Sequence, residues 1–250
     1  MIEKIEDQRI NELTEAIVLG HLKRNKQNPK KMICVDLDGI AKEYFGFHVR
    51  YETIAEEDLD IVAFSANGIK PLRVKRNGET TDVVFPKNTI VLDSYYKQPR
   101  NSIQRRLTLS HELGHKIYGR MAPGHDQGNY KKIFDTERRY TFEELQEQLR
   151  ITEAQATQVG CALLMPHFLL CNTLMRVMKK NKFTVYGDHQ MLPDDSAKFK
   201  RMADDVGVSA NMLFIQLKKN KMIDYRPIDE YIELVGLEGE QDVYNSATEI

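Results

Sequence analysis

The chain has little that would staple it covalently or carry it into a membrane. Its 250 residues include three cysteines, Cys34, Cys161 and Cys171, an odd number with no C-x-x-C spacing. That argues against a disulfide scaffold or a cysteine-only zinc site and points to a reducing compartment. Net charge is also nearly absent, with 36 basic residues against 37 acidic ones. No global field therefore drives the protein onto nucleic acid or an anionic bilayer. Long apolar runs are missing too. The most apolar stretch, Cys161 to Leu170, is broken by Pro166 and His167, well short of the roughly 20 residues a spanning helix needs. The opening Met1-Ile2-Glu3-Lys4-Ile5-Glu6-Asp7 lacks the apolar segment of a signal peptide. What is present is 41% apolar and 29% charged residues, enough to bury a sizeable core. The expectation is a soluble, globular, cytoplasmic protein of one large domain or two modest ones.

Periodicity divides the chain. Ile10, Leu13, Ile17 and Leu22 recur at helical spacing from Gln8 to about Arg24, and Leu37, Ile40, Ala41 and Tyr44 mark a second helix that Gly46 can end. The period then shortens. Runs at 47–51, 61–65, 72–75, 83–85 and 89–92 read as strands, with Asn67-Gly68 and Asn77-Gly78 as tight turns between them. Asn101 or Ser102 can cap a helix to about Tyr118. Gly119 to Tyr140 reads as a polar surface loop and Phe142 to Leu149 as a short helix. Thr152 with Gln155 reads as the capping box of a longer one. Pro166 kinks that helix or starts the next. Asp195 to Val206 and Ser209 to Asn220 form a helix pair across Gly207, and the acidic last residues are expected to fray. No internal repeat or low-complexity segment is apparent.

The sharpest motif is His111-Glu112-Leu113-Gly114-His115. Four residues of α-helix turn about 400°, so both imidazoles leave one face a turn apart. They can then share one zinc ion while Glu112 reaches its water. Leu109, Leu113 and Ile117 supply an apolar stripe to seat the helix, and Gly114 lets a neighbouring element come close. A catalytic zinc needs a third protein ligand. His125, His167, His189 and the downstream acids are candidates, whereas Met121 occupies the position of a third histidine ten residues beyond the first. Glu153 opens the expected long helix and could face the metal, although an acid in a first helical turn is favoured by the macrodipole in any case.

The run Arg106-Leu107-Thr108-Leu109-Ser110-His111-Glu112-Leu113-Gly114-His115, with Glu153-Ala154-Gln155-Ala156 and Leu163-Leu164-Met165-Pro166, resembles the ImmA/IrrE family of metallopeptidases. The family pattern is R-F-T-x-x-H-E-x-x-H followed by E-x-x-A-[DN]-x-F-A-x-x-L-L-x-P. The resemblance spans roughly residues 5 to 230 and makes Glu153 the third ligand beside His111 and His115. It departs from the pattern at Leu107, Thr157 and Val159-Gly160. It implies an α+β, zincin-like fold, with a small, mostly antiparallel sheet packed on the H-E-x-x-H helix, N-terminal helices and a C-terminal helical bundle. The domain expectation is a metallopeptidase domain over 1–171, a helical region with a helix-turn-helix-like hairpin over 172–230, and an acidic tail over 231–250.

The expected activity is zinc-dependent endoproteolysis of a specific cellular protein, with a helix-turn-helix repressor as the substrate class the resemblance implies. Glu112 would serve as the base. Two histidines and a carboxylate also suit Mn2+ or Fe2+. The strand 89–92 is a candidate edge for substrate pairing, and Tyr118, His125, Tyr140 and His167 are candidates to stabilise the oxyanion. Two rivals remain. One is a DNA-binding regulator using the 203–219 hairpin, with Asn211, Gln216 and Lys219 able to reach out. Residues 172–226 carry eleven Lys/Arg against six Asp, a net +5, but the apolar content of that helix makes direct nucleic-acid binding by the protein an unfavoured expectation. The other is a non-catalytic interaction protein stapled by zinc, which an intact Glu112 argues against.

Overall fold

The computed structural model describes residues 4–57, 61–121 and 142–236. It is an α+β chain that divides into two compact units, one of residues 1–169 with 206–208, the other of 170–205 with 209–250.

The first unit opens with α1 (Asp7–Arg24), then a 3₁₀ turn at Pro29–Lys31, then α2 (Leu37–Phe45). Asp36 caps α2 by accepting from the Gly39 amide, and Gly46 ends it at φ +67°, a backbone conformation that costs glycine little. Five strands follow: β1 (His48–Ile54), β2 (Ala63–Ser65), β3 (Pro71–Arg76), β4 (Glu79–Val84) and β5 (Thr89–Asp93). They form one sheet in the order β2-β5-β1-β3-β4. Only β1 and β5 run parallel, from His48 opposite Thr89 to Glu52 opposite Asp93; the other three pairs are antiparallel. The hairpin at Asn77-Gly78 joins β3 to β4 with both residues at positive φ, as a two-residue primed turn requires. Asn67-Gly68 is also a turn, its Asn67 Oδ1 accepting from the Ile69 and Lys70 amides, but the strands flanking it are not partners.

Residues 89–92 were expected at an edge and lie inside the sheet. β5 is bonded on both sides, and Thr89 to Leu92 are buried. The uninterrupted Thr-Ile-Val-Leu run is what a strand covered on both faces requires. The open edge beside it is β2.

Two long helices complete this unit, α3 (Ser102–Met121) and α4 (Phe142–Leu164). Leu109, Leu113 and Ile117 are buried as one stripe of α3. Asn101 does not cap α3 with its side chain; its amide donates to the Tyr95 carbonyl instead. The expected helix start at Thr152 is absent, because α4 runs unbroken through it. Thr152 is buried, and the Gln155 side chain accepts from the Ile5 amide and donates to Gln158. The Thr/Gln pair that reads locally as a cap therefore sits mid-helix, where Gln155 fastens the start of the chain. Of the expected loop Gly119–Tyr140, residues 119–121 belong to α3 and the rest lies outside the described residues.

The second unit contains most of α5 (His167–Val177), then β6 (Phe183–Tyr186), α6 (Pro193–Val206), α7 (Ala210–Lys219), β7 (Ile223–Arg226) and α8 (Ile228–Val235). Pro166 separates α4 from α5. Gly207 at φ +75° follows α6, and the Ser209 hydroxyl caps α7 by accepting from the Met212 amide. Phe183 packs at a tilt against Phe199 with 4.8 Å between ring centroids, and Leu174, Val185, Met202, Leu213 and Leu217 of this unit are also buried. The expected helical bundle needs two corrections. β6 and β7 form a parallel two-stranded sheet that the short runs Phe-Thr-Val-Tyr and Ile-Asp-Tyr-Arg did not announce. The expected tail from 231 begins instead inside α8, and residues 237–250 lie outside the described residues. Among the described residues no single helix is long and apolar enough to cross a membrane.

Candidate metal centre

The site depends on how closely α3 and α4 approach. A methyl group built at Gly114 would stand 2.1 Å from the Ala156 carbonyl oxygen, and one at Gly160 would stand 2.7 Å from that of Ser110. Neither position can hold a side chain without separating the helices. Gly114 and Ser110 lie one turn apart on α3, as do Gly160 and Ala156 on α4, so the backbones touch over one turn of each. Ser110 and Ala156 are fully buried at this crossing. Gly160, a departure from the family pattern, thus has a steric reason.

Next to the crossing, His111 and His115 leave one face of α3 and meet Glu153 from α4. His111 Nε2 lies 3.1 Å from Glu153 Oε2, His115 Nε2 lies 3.5 Å from Oε1, and the two Nε2 atoms are 3.0 Å apart. Donors in a tetrahedral site with bonds of about 2.0–2.1 Å stand about 3.3 Å from one another. The observed separations bracket that value, and the donor set of two imidazoles and a carboxylate suits a borderline divalent ion. Among the described residues, His111, His115 and Glu153 are the group able to hold a metal, with donor atoms all within 4.8 Å. Glu153 sits in the middle of α4, so the macrodipole does not account for an acid there.

Charge follows the geometry. Hydrogen bonds from His111 and His115 hold the Glu153 carboxyl well below the usual carboxylate range. The same bond to Glu153 raises His111, assisted by the charges of Glu112 and Glu153 and opposed by burial. The arrangement therefore favours an anionic carboxylate facing a cation. His111 Nδ1 is 3.1 Å from Thr157 Oγ1. The tautomer that donates Nδ1–H to Thr157 leaves the Nε2 lone pair free for a metal. Thr157 thus partners His111.

Glu112 points elsewhere. Its Oε2 accepts from the Ser65 hydroxyl at 2.5 Å, so the last residue of edge strand β2 holds the carboxylate beside the ligand cluster. Sequence reasoning missed Ser65, because a serine closing a short strand carries no chemical signature.

The other candidates disperse. Tyr118 is buried, and burial pushes its phenol up. His167 is exposed at the start of α5, and His189 packs edge-on against Phe214 in the second unit. His125 and Tyr140 lie outside the described residues. On α7, Asn211 is exposed, but Gln216 is buried and cannot reach out as expected. Comparison with protein-family models and with curated proteins returns no match for this chain.

Proposed function

We propose that the chain is a zinc-dependent metalloendopeptidase of the zincin-like ImmA/IrrE type, acting in the cytoplasm on a specific cellular protein. The observation that carries this reading is the convergence of His111, His115 and Glu153 beside a fourth group, Glu112, that is not part of the donor cluster. A structural metal site closes its coordination and has no need of a neighbouring base.

His111, His115 and Glu153 would hold the ion, zinc by preference of the donor set, with Mn2+ or Fe2+ as substitutes. When bound, it would supply Lewis acidity for water and for the scissile carbonyl. Glu112 takes a proton from the attacking water and passes it to the leaving amine. Ser65 fixes one oxygen of that carboxylate and leaves the other to face the reaction. Thr157 holds His111 in the tautomer that ligates. Edge strand β2 ends at Ser65, so a peptide pairing along its open side would lie next to the base.

The substrate class, a helix-turn-helix repressor, rests on the resemblance of 106–115 and 153–166 alone. The rival reading, in which the 203–219 hairpin reads DNA bases, is disfavoured by the buried Gln216. The test is cleavage of a panel of helix-turn-helix repressors by zinc-loaded wild type and Glu112→Gln, read as fragment masses. Wild type should cut at a defined bond, and Glu112→Gln should keep zinc while cutting at least ~100-fold more slowly. Equal cutting by the variant would overturn the mechanism.

A further inference from the structure

The tetrapeptide Lys-Lys-Asn-Lys occurs twice, at 179–182 and 218–221. It is too short to register as a repeat by composition, but both copies lie where a helix gives way to a short strand: 179–182 falls between α5 and β6, and 218–221 comprises the last two residues of α7, its cap Asn220 and Lys221, ahead of β7. β6 and β7 are parallel partners with Phe183 opposite Ile223, and the Phe183 amide donates to the Met222 carbonyl at 2.9 Å. Parallel pairing brings like ends together. The two lysine-rich turns therefore enter the sheet side by side. Lys179 and Lys221 both adopt positive φ, at 57°, so each copy turns sharply where its helix gives way to the strand.

This gathers five exposed lysines, Lys179, Lys180, Lys182, Lys218 and Lys221, at one end of a two-stranded sheet, and none of the five makes an ion pair among the described residues. The nearest acids along the strands do not neutralise the turns. Asp224 is engaged by Arg226 at 2.9 Å, and Asp229 and Glu230 begin α8, past the opposite end of β7, roughly 10 Å or more along a strand of this length. A chain with a net charge of −1 thus carries a dense, single-signed patch, and like charges so placed repel unless a counter-charge is supplied.

We propose that the paired 179–182 and 218–221 turns bind the phosphate backbone of double-stranded nucleic acid without reading its sequence. Three features select that partner. Lysines are point charges suited to phosphates, and the patch holds no arginine fork for base edges. Asn220, the one turn amide with a described partner, donates to the Gln216 carbonyl at 2.8 Å. The apolar residues that adjoin the turns in sequence, Met178, Phe183, Met222 and Ile223, are all buried, and the exposed Met175 and Ile215 lie a turn back along α5 and α7, so the turns themselves present charge and no apolar side chain. Five charges in two adjacent rows also match a run of phosphates better than a single small anion. The binding is independent of the hydrolytic reading. Should both hold, it would keep the enzyme near proteins that sit on DNA.

The test uses the full chain and a labelled 20-base-pair duplex DNA of arbitrary sequence, followed by anisotropy from 50 to 200 mM salt. Five phosphate contacts predict a loss of affinity of about 500-fold over that range. Lys179/Lys180/Lys182→Gln should lower the salt slope by about 2.7 and Lys218/Lys221→Gln by about 1.8, while the corresponding Arg substitutions keep it. Lys23/Lys30/Lys31→Gln, exposed lysines of the first unit, should change nothing. Absence of binding at 50 mM salt, equal loss in the Lys23/Lys30/Lys31 control, or an unchanged slope in both turn variants would overturn the proposal. So would retention on vesicles containing 30% phosphatidylserine in preference to the duplex.

Discussion

The two units keep their chemistry in opposite ways. In the first, the candidate ligands His111, His115 and Glu153 meet where backbone packs against backbone, and Glu112 beside them is held by Ser65. Gly114 and Gly160 allow α3 and α4 to touch, and the spacing of the candidate ligands follows from that separation. In the second, the distinctive residues are exposed lysines where two helices give way to strands, placed by strand pairing. The first arrangement is exact and intolerant, since one added methyl group exceeds the space available. The second is tolerant, because its side chains can change while the strands that position them stay paired. Precision at a site is thus a property of what lies under the functional groups as much as of the groups themselves.

Adding bulk at the crossing should break that contrast most severely. Gly114→Ala places a methyl group into the Ala156 carbonyl and is expected to cost about 3 kcal/mol of stability, together with loss of metal binding. Gly160→Ala meets the Ser110 carbonyl at the longer of the two distances and should cost less, about 1–2 kcal/mol. Thermal unfolding and zinc titration of both variants check the order. A milder change one step from the donors should sharpen the picture. Thr157→Val removes the partner of His111 Nδ1 and should weaken zinc binding about 10- to 100-fold, whereas Thr157→Ser retains it. Chelator competition reads the difference. The smallest effect belongs to the second unit. Replacing the exposed lysines of either turn by Gln should shift stability by no more than about 0.5 kcal/mol per position, as urea unfolding would show. A loss as large as that of Gly114→Ala would mean the turns are structural.

Much of the first unit was legible because its signals are local. The 3.6-residue stripe of Leu109, Leu113 and Ile117 and the two histidines one turn apart declare both a helix and the half-buried face that carries the histidines. Asn77-Gly78 declares its hairpin in the same way. What escaped is what depends on distant partners. Thr152 and Gln155 carry the letters of a helix cap, but Gln155 is recruited by Ile5 across 150 positions of sequence. The Thr-Ile-Val-Leu run looks like any strand, and its place between β1 and β2 is decided by pairing order. β6 and β7 are four residues each, too short for an alternating pattern to separate them from loops. Ser65 has no signature at all until β2 is laid beside α3.

The central claim is that His111, His115 and Glu153 together bind a metal ion, and it is tested most directly by elemental analysis of wild type and Glu153→Ala purified side by side. The account predicts about one zinc per wild-type chain after zinc is supplied, and loss of it in a Glu153→Ala variant that remains folded by circular dichroism. A wild-type chain that takes up no metal, or a folded Glu153→Ala variant that binds zinc as tightly as wild type, would contradict it.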